Sequence, residues 1–147
     1  MKFLIFASLV LFSTLAFSQS AEQQIAEVGS LKREATNTLN STPYREKEYL
    51  SVKNYFSGLR DYGNDVKNNS RSNKRLNNYL TAKDIPKFCS DLFLTKSDWE
   101  QIKMNCTRNR YFLCSDEVLE FNEYKKVVSE SLSVNLKSVF SSTADCQ

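Results

Sequence analysis

Histidine is absent from this 147-residue chain, glycine occurs three times, proline twice and tryptophan once. Without an imidazole, histidine-based triads and dyads, histidine-ligated zinc or haem, and imidazole pH switches are excluded. No glycine-rich phosphate loop is present either. Scarce glycine and proline beside abundant Lys, Glu, Leu, Asn and Ser weigh against a sandwich or barrel and favour helices joined by polar turns. The formal net charge of +3 is too small a surplus for nucleic acid to be the main partner. Beyond the first twenty residues there is no apolar run long enough to span a membrane.

The one long apolar run is at the start, MKFLIFASLVLFSTLAFSQS, with a single base at Lys2 and polar sequence from Ser18. This order of parts is that of a secretory signal peptide, with Ala16 and Ser18 as the small residues before the cut. The run is shorter than the roughly 20 residues of a spanning helix, so cleavage rather than anchoring is expected. Residues 1–18 are therefore read as a cleaved signal peptide and 19–147 as a single helical domain, secreted, or periplasmic if the source is bacterial.

Four cysteines, Cys89, Cys106, Cys114 and Cys146, all lie in the exported part, where two disulfides are the expected state. A four-cysteine zinc site would call for two closely spaced pairs, and the intervals here are wide and uneven, so no metal site is assigned. No Cys-x-x-Cys redox pair occurs. A straight helix over residues 116–141 would be about 39 Å long. The tail from there to Cys146 spans at most about 17 Å, which disfavours a bridge from Cys146 back to Cys114. The pairing that follows is Cys106 with Cys114 across a short loop, and Cys89 with Cys146, which asks the last helix to bend or stop near residues 131–135.

Periodicity supplies the elements. Ile25, Val28, Leu31, Ala35 and Leu39 share one face of a helix over residues 21–39, weakened by Gly29. Asn40, Ser41, Thr42 and Pro43 read as a stop and restart, and a second helix over residues 43–67 buries Tyr49, Val52, Phe56, Leu59, Tyr62 and Val66. Residues 67–83, KNNSRSNKRLNNYLTAK, are basic and rich in Asn, with only Leu76, Tyr79 and Leu80 to bury; they read as a mobile loop with one short helical turn. Asp84, Ile85 and Pro86 open a helix with Ile85, Phe88, Cys89, Leu92 and Phe93 inward. Ser97 and Glu100 have the spacing of a capping box, starting a short helix that buries Trp99, Ile102 and Cys106. After the loop TRNRYFLC, Ser115 caps a last helix over residues 116–141, whose first turn carries Asp116, Glu117 and Glu120. The fold class is all-α, a small disulfide-stapled bundle of five to six helices with a long C-terminal helix.

Function is less legible. No catalytic residue and no cofactor-binding residue is assigned: Asp91, Asp98 and Glu100 cluster in sequence, but Asp98 and Glu100 have a helix-start role, and a carboxylate pair works only across a cleft. The leading expectation is a secreted, non-enzymatic binding protein whose partner is an extracellular macromolecule. Its anionic-partner contacts are Lys67, Arg71, Lys74, Arg75 and Lys83 in the basic segment, with Arg108 and Arg110. The alternative is a carrier of a small hydrophobic ligand in an apolar pocket formed by Tyr49, Phe56, Tyr62, Phe88, Phe93, Trp99, Phe121 and Phe140. Asn40, Asn68 and Asn105 begin Asn-x-Ser/Thr triplets; in a eukaryotic source Asn40 and Asn68 are the better glycan acceptors, because Asn105 adjoins a disulfide cysteine.

Overall fold

The computed structural model describes residues 19–41, 45–82, 85–108, 114, 116, 118 and 120–123. Among them the chain is helical and forms no strand, and the elements are α1 (Ala21–Thr36), α2 (Glu46–Asn68), α3 (Ser70–Ala82), α4 (Ile85–Leu92) and α5 (Lys96–Arg108). Asp116, Val118 and residues 120–123 are helical as well, at the place expected for the start of the last helix. Residues 1–18, read from sequence as a signal peptide, the expected continuation of the last helix to residue 141 and its expected break at residues 131–135 lie outside the described residues.

The starts of α1, α2, α3 and α5 are hydrogen-bonding events. Ser20 caps α1: its Oγ accepts from the Gln23 N–H at 3.2 Å, and Gln23 Oε1 accepts from the Ser20 N–H at 3.1 Å. This Ser-x-x-Gln box is a sequence signal that the apolar periodicity overshadowed. α1 ends at Thr36, three residues before Leu39, which is partly buried in the turn beyond. α2 begins at Glu46, three residues later than the sequence reading placed it, because its cap is at Arg45, whose N–H donates to Glu48 Oε2 at 3.0 Å. The start of α5 also shifts. Thr95 Oγ1 accepts from the Asp98 N–H at 3.1 Å, so the cap is Thr95 and not Ser97, and Glu100 is already in the second turn.

The largest correction concerns residues 67–83, expected as a loop. They hold a 13-residue helix, α3, which buries Leu76, Leu80 and Ser72. Asn69 makes the junction. It stands in extended backbone, its N–H bonds Asp65 O at 2.9 Å to end α2, and its Oδ1 accepts from the N–H groups of Arg71 and Ser72 to begin α3. Asn73 and Asn77 follow at four-residue steps: Asn73 Nδ2 reaches Val66 O at 3.4 Å, and Asn77 Nδ2 donates to Asn73 O at 2.9 Å. Asparagines usually compete with helical backbone bonding. Here their side chains join the helix to its neighbour and to itself.

α1 packs chiefly on α2 and more lightly on α4 and α3, and α2 also carries α3. Glycines set two of these approaches, Gly29 that of α1 to α4 and Gly58 that of α2 to α1. A Cβ on Gly29 would lie 3.1 Å from Asp91 O at the end of α4, and one on Gly58 would lie 2.6 Å from Leu31 Cδ1. Gly29, read from sequence as a weakness in α1, is therefore what lets α1 approach α4; close by, Lys32 Nζ donates to Ser90 O in the last turn of α4.

The core collects Ile25, Val28 and Ala35 of α1, the stripe of α2, Leu76 and Leu80 of α3, and Phe88, Cys89 and Leu92 of α4. Phe93 and Leu94 just beyond α4 and Ile102 and Cys106 of α5 complete it from the other side, with Cys114, Val118 and Phe121. Tyr55, absent from the expected stripe, is fully buried beside Phe56, because α2 is covered on more than one side. Its hydroxyl donates to Leu92 O at 2.9 Å and ties α2 to α4. Burial of side chains of this size contributes about 1.5–3 kcal/mol each.

Cys106 and Cys114 form a disulfide across eight positions, as expected. Cys89 is also disulfide-bonded; its expected partner, Cys146, lies outside the described residues.

Candidate functional site

The basic segment becomes a surface once residues 70–82 are helical. Positions 71, 74 and 78 recur at three- and four-residue steps, which places Arg71, Lys74 and Asn78 on one face of α3, and all three are exposed. Lys67 is exposed in the last turn of α2, just before the Asn69 junction. Leu76 and Leu80 point the opposite side of α3 into the core, so the cations are held outward by packing. From Val66 through Lys83 the sequence contains no Asp or Glu. Among the described residues Lys67, Arg71 and Lys74 have no carboxylate partner.

Arg75 stands apart from them. It is half-buried, and its Nη1 donates to Gln19 O at 2.9 Å, so it fastens α3 to the residue preceding the Ser20 cap. The nearest carboxylate along the chain, Asp65, is likewise engaged: it accepts from Gln24 Nε2 at 3.0 Å and from Asn69 Nδ2 at 3.3 Å. Of the seven cations named from sequence, Lys67 at the end of α2 and Arg71 and Lys74 on one face of α3 are exposed and without a carboxylate partner among the described residues, while Arg75 is tied to Gln19. Lys83, Arg110 and the side chain of Arg108 lie outside the described residues.

Searches against known protein families, curated proteins and solved structures return no match to this chain.

The aromatic set is distributed differently. Tyr49, Phe56, Tyr62, Phe88, Phe93 and Phe121 are buried in the core, and Trp99 is half-buried at its edge. Phe121 packs edge-on to Phe56 at 5.5 Å and stacks on Trp99 at 6.1 Å between centroids, while Phe88 meets Phe93 at 6.2 Å. Lys103 Nζ lies 5.0 Å from the Trp99 ring centre, a cation–π contact within α5. Phe140 lies outside the described residues.

Two phenols are perturbed. Burial pushes Tyr55 well above the ordinary tyrosine range, opposed in part by the Leu94 backbone. Burial does the same to Tyr62, with the Asp65 carboxylate and Tyr79 adding to it. The Tyr62 hydroxyl is buried without a hydrogen-bond partner among the described residues. Beside it an open groove of about 310 Å³ runs between α1 and α2, lined by Gln24, Glu27, Val28, Leu31, Asp61 and Asp65 among others. Its carboxylates are bonded in place, Glu27 to Gln19, Asp61 to Arg60 and Asp65 as above. Among the described residues no group of three or more His, Cys, Asp or Glu side chains is arranged to hold a metal ion.

The three Asn-x-Ser/Thr asparagines separate by environment. Asn40, in the turn after α1, and Asn68, at the end of α2, are exposed. Asn105 is half-buried, with its Nδ2 donating to Leu39 O at 3.2 Å and its Oδ1 accepting from Gln101 at 3.2 Å.

Proposed function

We propose that this protein is an exported, disulfide-stabilised helical binding protein without catalytic activity, and that it meets an anionic surface or partner through the outer face of α3. The observation that carries this reading is that Lys67 at the end of α2 and Arg71 and Lys74 on α3 are exposed and unpaired among the described residues, in a stretch of sequence without Asp or Glu, with α3 anchored from behind by Leu76 and Leu80. Surface cations are ordinarily interspersed with carboxylates. A one-signed, rigid patch instead produces a local positive potential that steers and holds an anion, and does so more strongly at low salt.

Charge reversal tests it. The variant Lys67→Glu/Arg71→Glu/Lys74→Glu is expected to lose retention on a heparin column, with an unchanged helical circular dichroism spectrum because the three side chains are exposed. Retention equal to that of the parent protein would remove the α3 face from the account.

A further inference from the structure

We infer, building on the anionic-partner reading, that the occupant of the α3 face is a linear acidic polysaccharide carrying recurrent sulfate or carboxylate groups. The first ground is what the face lacks. A helix that seats on a bilayer needs apolar side chains to insert beside its cations. On α3 the apolar residues are turned away: Leu76 and Leu80 are buried and Tyr79 is half-buried in a groove with Glu22, Ile25, Arg33 and Lys87. The exposed large apolar side chain among the described residues is Leu50, at 45% exposure. It is on α2, at the opposite end from Lys67, about 25 Å away along the axis at 1.5 Å per residue. Cations and apolar anchor are therefore not on one surface.

The second ground is what the face contains. Between Lys67 and Arg71 stand the neutral hydrogen-bonding side chains Asn68 and Ser70, both exposed. Sugar hydroxyls pair with amides and hydroxyls, while sulfates and carboxylates pair with Arg and Lys, Arg in a planar fork. Arg71 and Lys74 are about 4.5 Å apart along the helix axis, comparable with the length of one sugar unit, and Lys67 is exposed at the end of the preceding helix. A row of this kind suits a chain of repeating charges better than a single compact anion. The row is also pre-organised, because Leu76, Leu80, the asparagine ladder and Arg75 hold α3 in place before any ligand arrives.

The test uses the exported chain with its disulfides intact. The probes are heparin, hyaluronate, neutral dextran, and phosphatidylcholine vesicles with and without phosphatidylserine. The parent protein is expected to bind heparin or hyaluronate, to ignore dextran, and to leave both vesicles in the supernatant. Neutralising the face in Arg71→Gln/Lys74→Gln is expected to lower the slope of log affinity against log salt by about two, one for each cation removed. The control Lys47→Gln/Lys96→Gln carries the same charge change on exposed lysines elsewhere and is expected to leave the slope as it was. Binding to phosphatidylserine vesicles as tight as to heparin would overturn the polysaccharide assignment and leave the anionic-partner reading standing. An equal loss of slope in the control would overturn the assignment of the face. Binding to none of the anionic probes would overturn both.

Discussion

Two buried phenols on the same helix show how much a single partner matters. Tyr55 donates its hydroxyl to Leu92 O at 2.9 Å, whereas Tyr62, equally enclosed, has no partner among the described residues. Removing the first hydroxyl takes a donor from a buried carbonyl; removing the second relieves a desolvated group that has no compensation. Tyr55→Phe is expected to lower stability by about 1–2 kcal/mol, and Tyr62→Phe to be neutral or to raise it by up to about 1 kcal/mol. Urea unfolding of the two variants checks this, and equal losses in both would contradict it. Periodicity puts Tyr62 on the expected stripe of α2 and leaves Tyr55 off it, but it says nothing of a partner for either hydroxyl; only the arrival of the end of α4 next to Tyr55 supplies one.

Helix boundaries obey local chemistry, but more than one residue can satisfy it. Thr95 and Ser97 both precede an acidic residue at the spacing of a cap, Asp98 and Glu100 respectively. The Ser-x-x-Glu match is the stronger pattern by sequence, yet Thr95 is the cap, since the bend of the chain out of α4 leaves residue 95 as the last one outside the helix. Thr95→Ala is expected to destabilise by about 1 kcal/mol and Ser97→Ala by only a few tenths, measured by thermal or urea unfolding. A larger loss for Ser97→Ala would place the start of α5 where the sequence reading had it. α3 is the same lesson at greater length. Composition argued for a loop, because five asparagines and few apolar residues lower helix propensity over residues 67–83. The spacing of Asn69, Asn73 and Asn77 was helical all along, but its meaning depends on a neighbouring helix end whose Val66 carbonyl receives Asn73.

For the whole molecule, the perturbed phenols give stability a direction with pH. The folded state holds Tyr55 and Tyr62 protonated well above 10.0, the value of an unperturbed phenol. Below that pH both phenols are neutral whether the chain is folded or not, and they add no pH dependence. Above it the unfolded chain releases protons that the folded chain retains, so stability falls as pH rises, by up to about 1.4 kcal/mol per pH unit for each phenol. Urea midpoints are therefore expected to be flat in this respect up to about pH 10 and to drop steeply beyond, with tyrosinate absorbance from these two residues developing together with unfolding. In Tyr62→Phe the alkaline slope should be shallower by about one such contribution. A slope unchanged from the parent would mean that Tyr62 titrates freely in the folded protein. The same scale governs the candidate surface: which cations are free is a property of the assembled bundle, since Arg75, unlike the exposed Arg71, is half-buried with Gln19 O within reach.

The sequence by itself determined the all-α class, the apolar stripes of α1 and α2, the inward residues of α4 and the bridge between Cys106 and Cys114. These follow from short-range periodicity and from two cysteines separated by too few residues to be far apart. Tertiary structure alone decided that residues 70–82 are a helix, that Gly29 is a contact with α4 and not a flaw, that Thr95 takes the cap, and that Lys67, Arg71 and Lys74 stand exposed while Arg75 serves the fold. The physical reason is common to all four. Each depends on a partner group, a carbonyl or a packing surface, that sequence periodicity does not locate and that reaches its place only when the helices have docked.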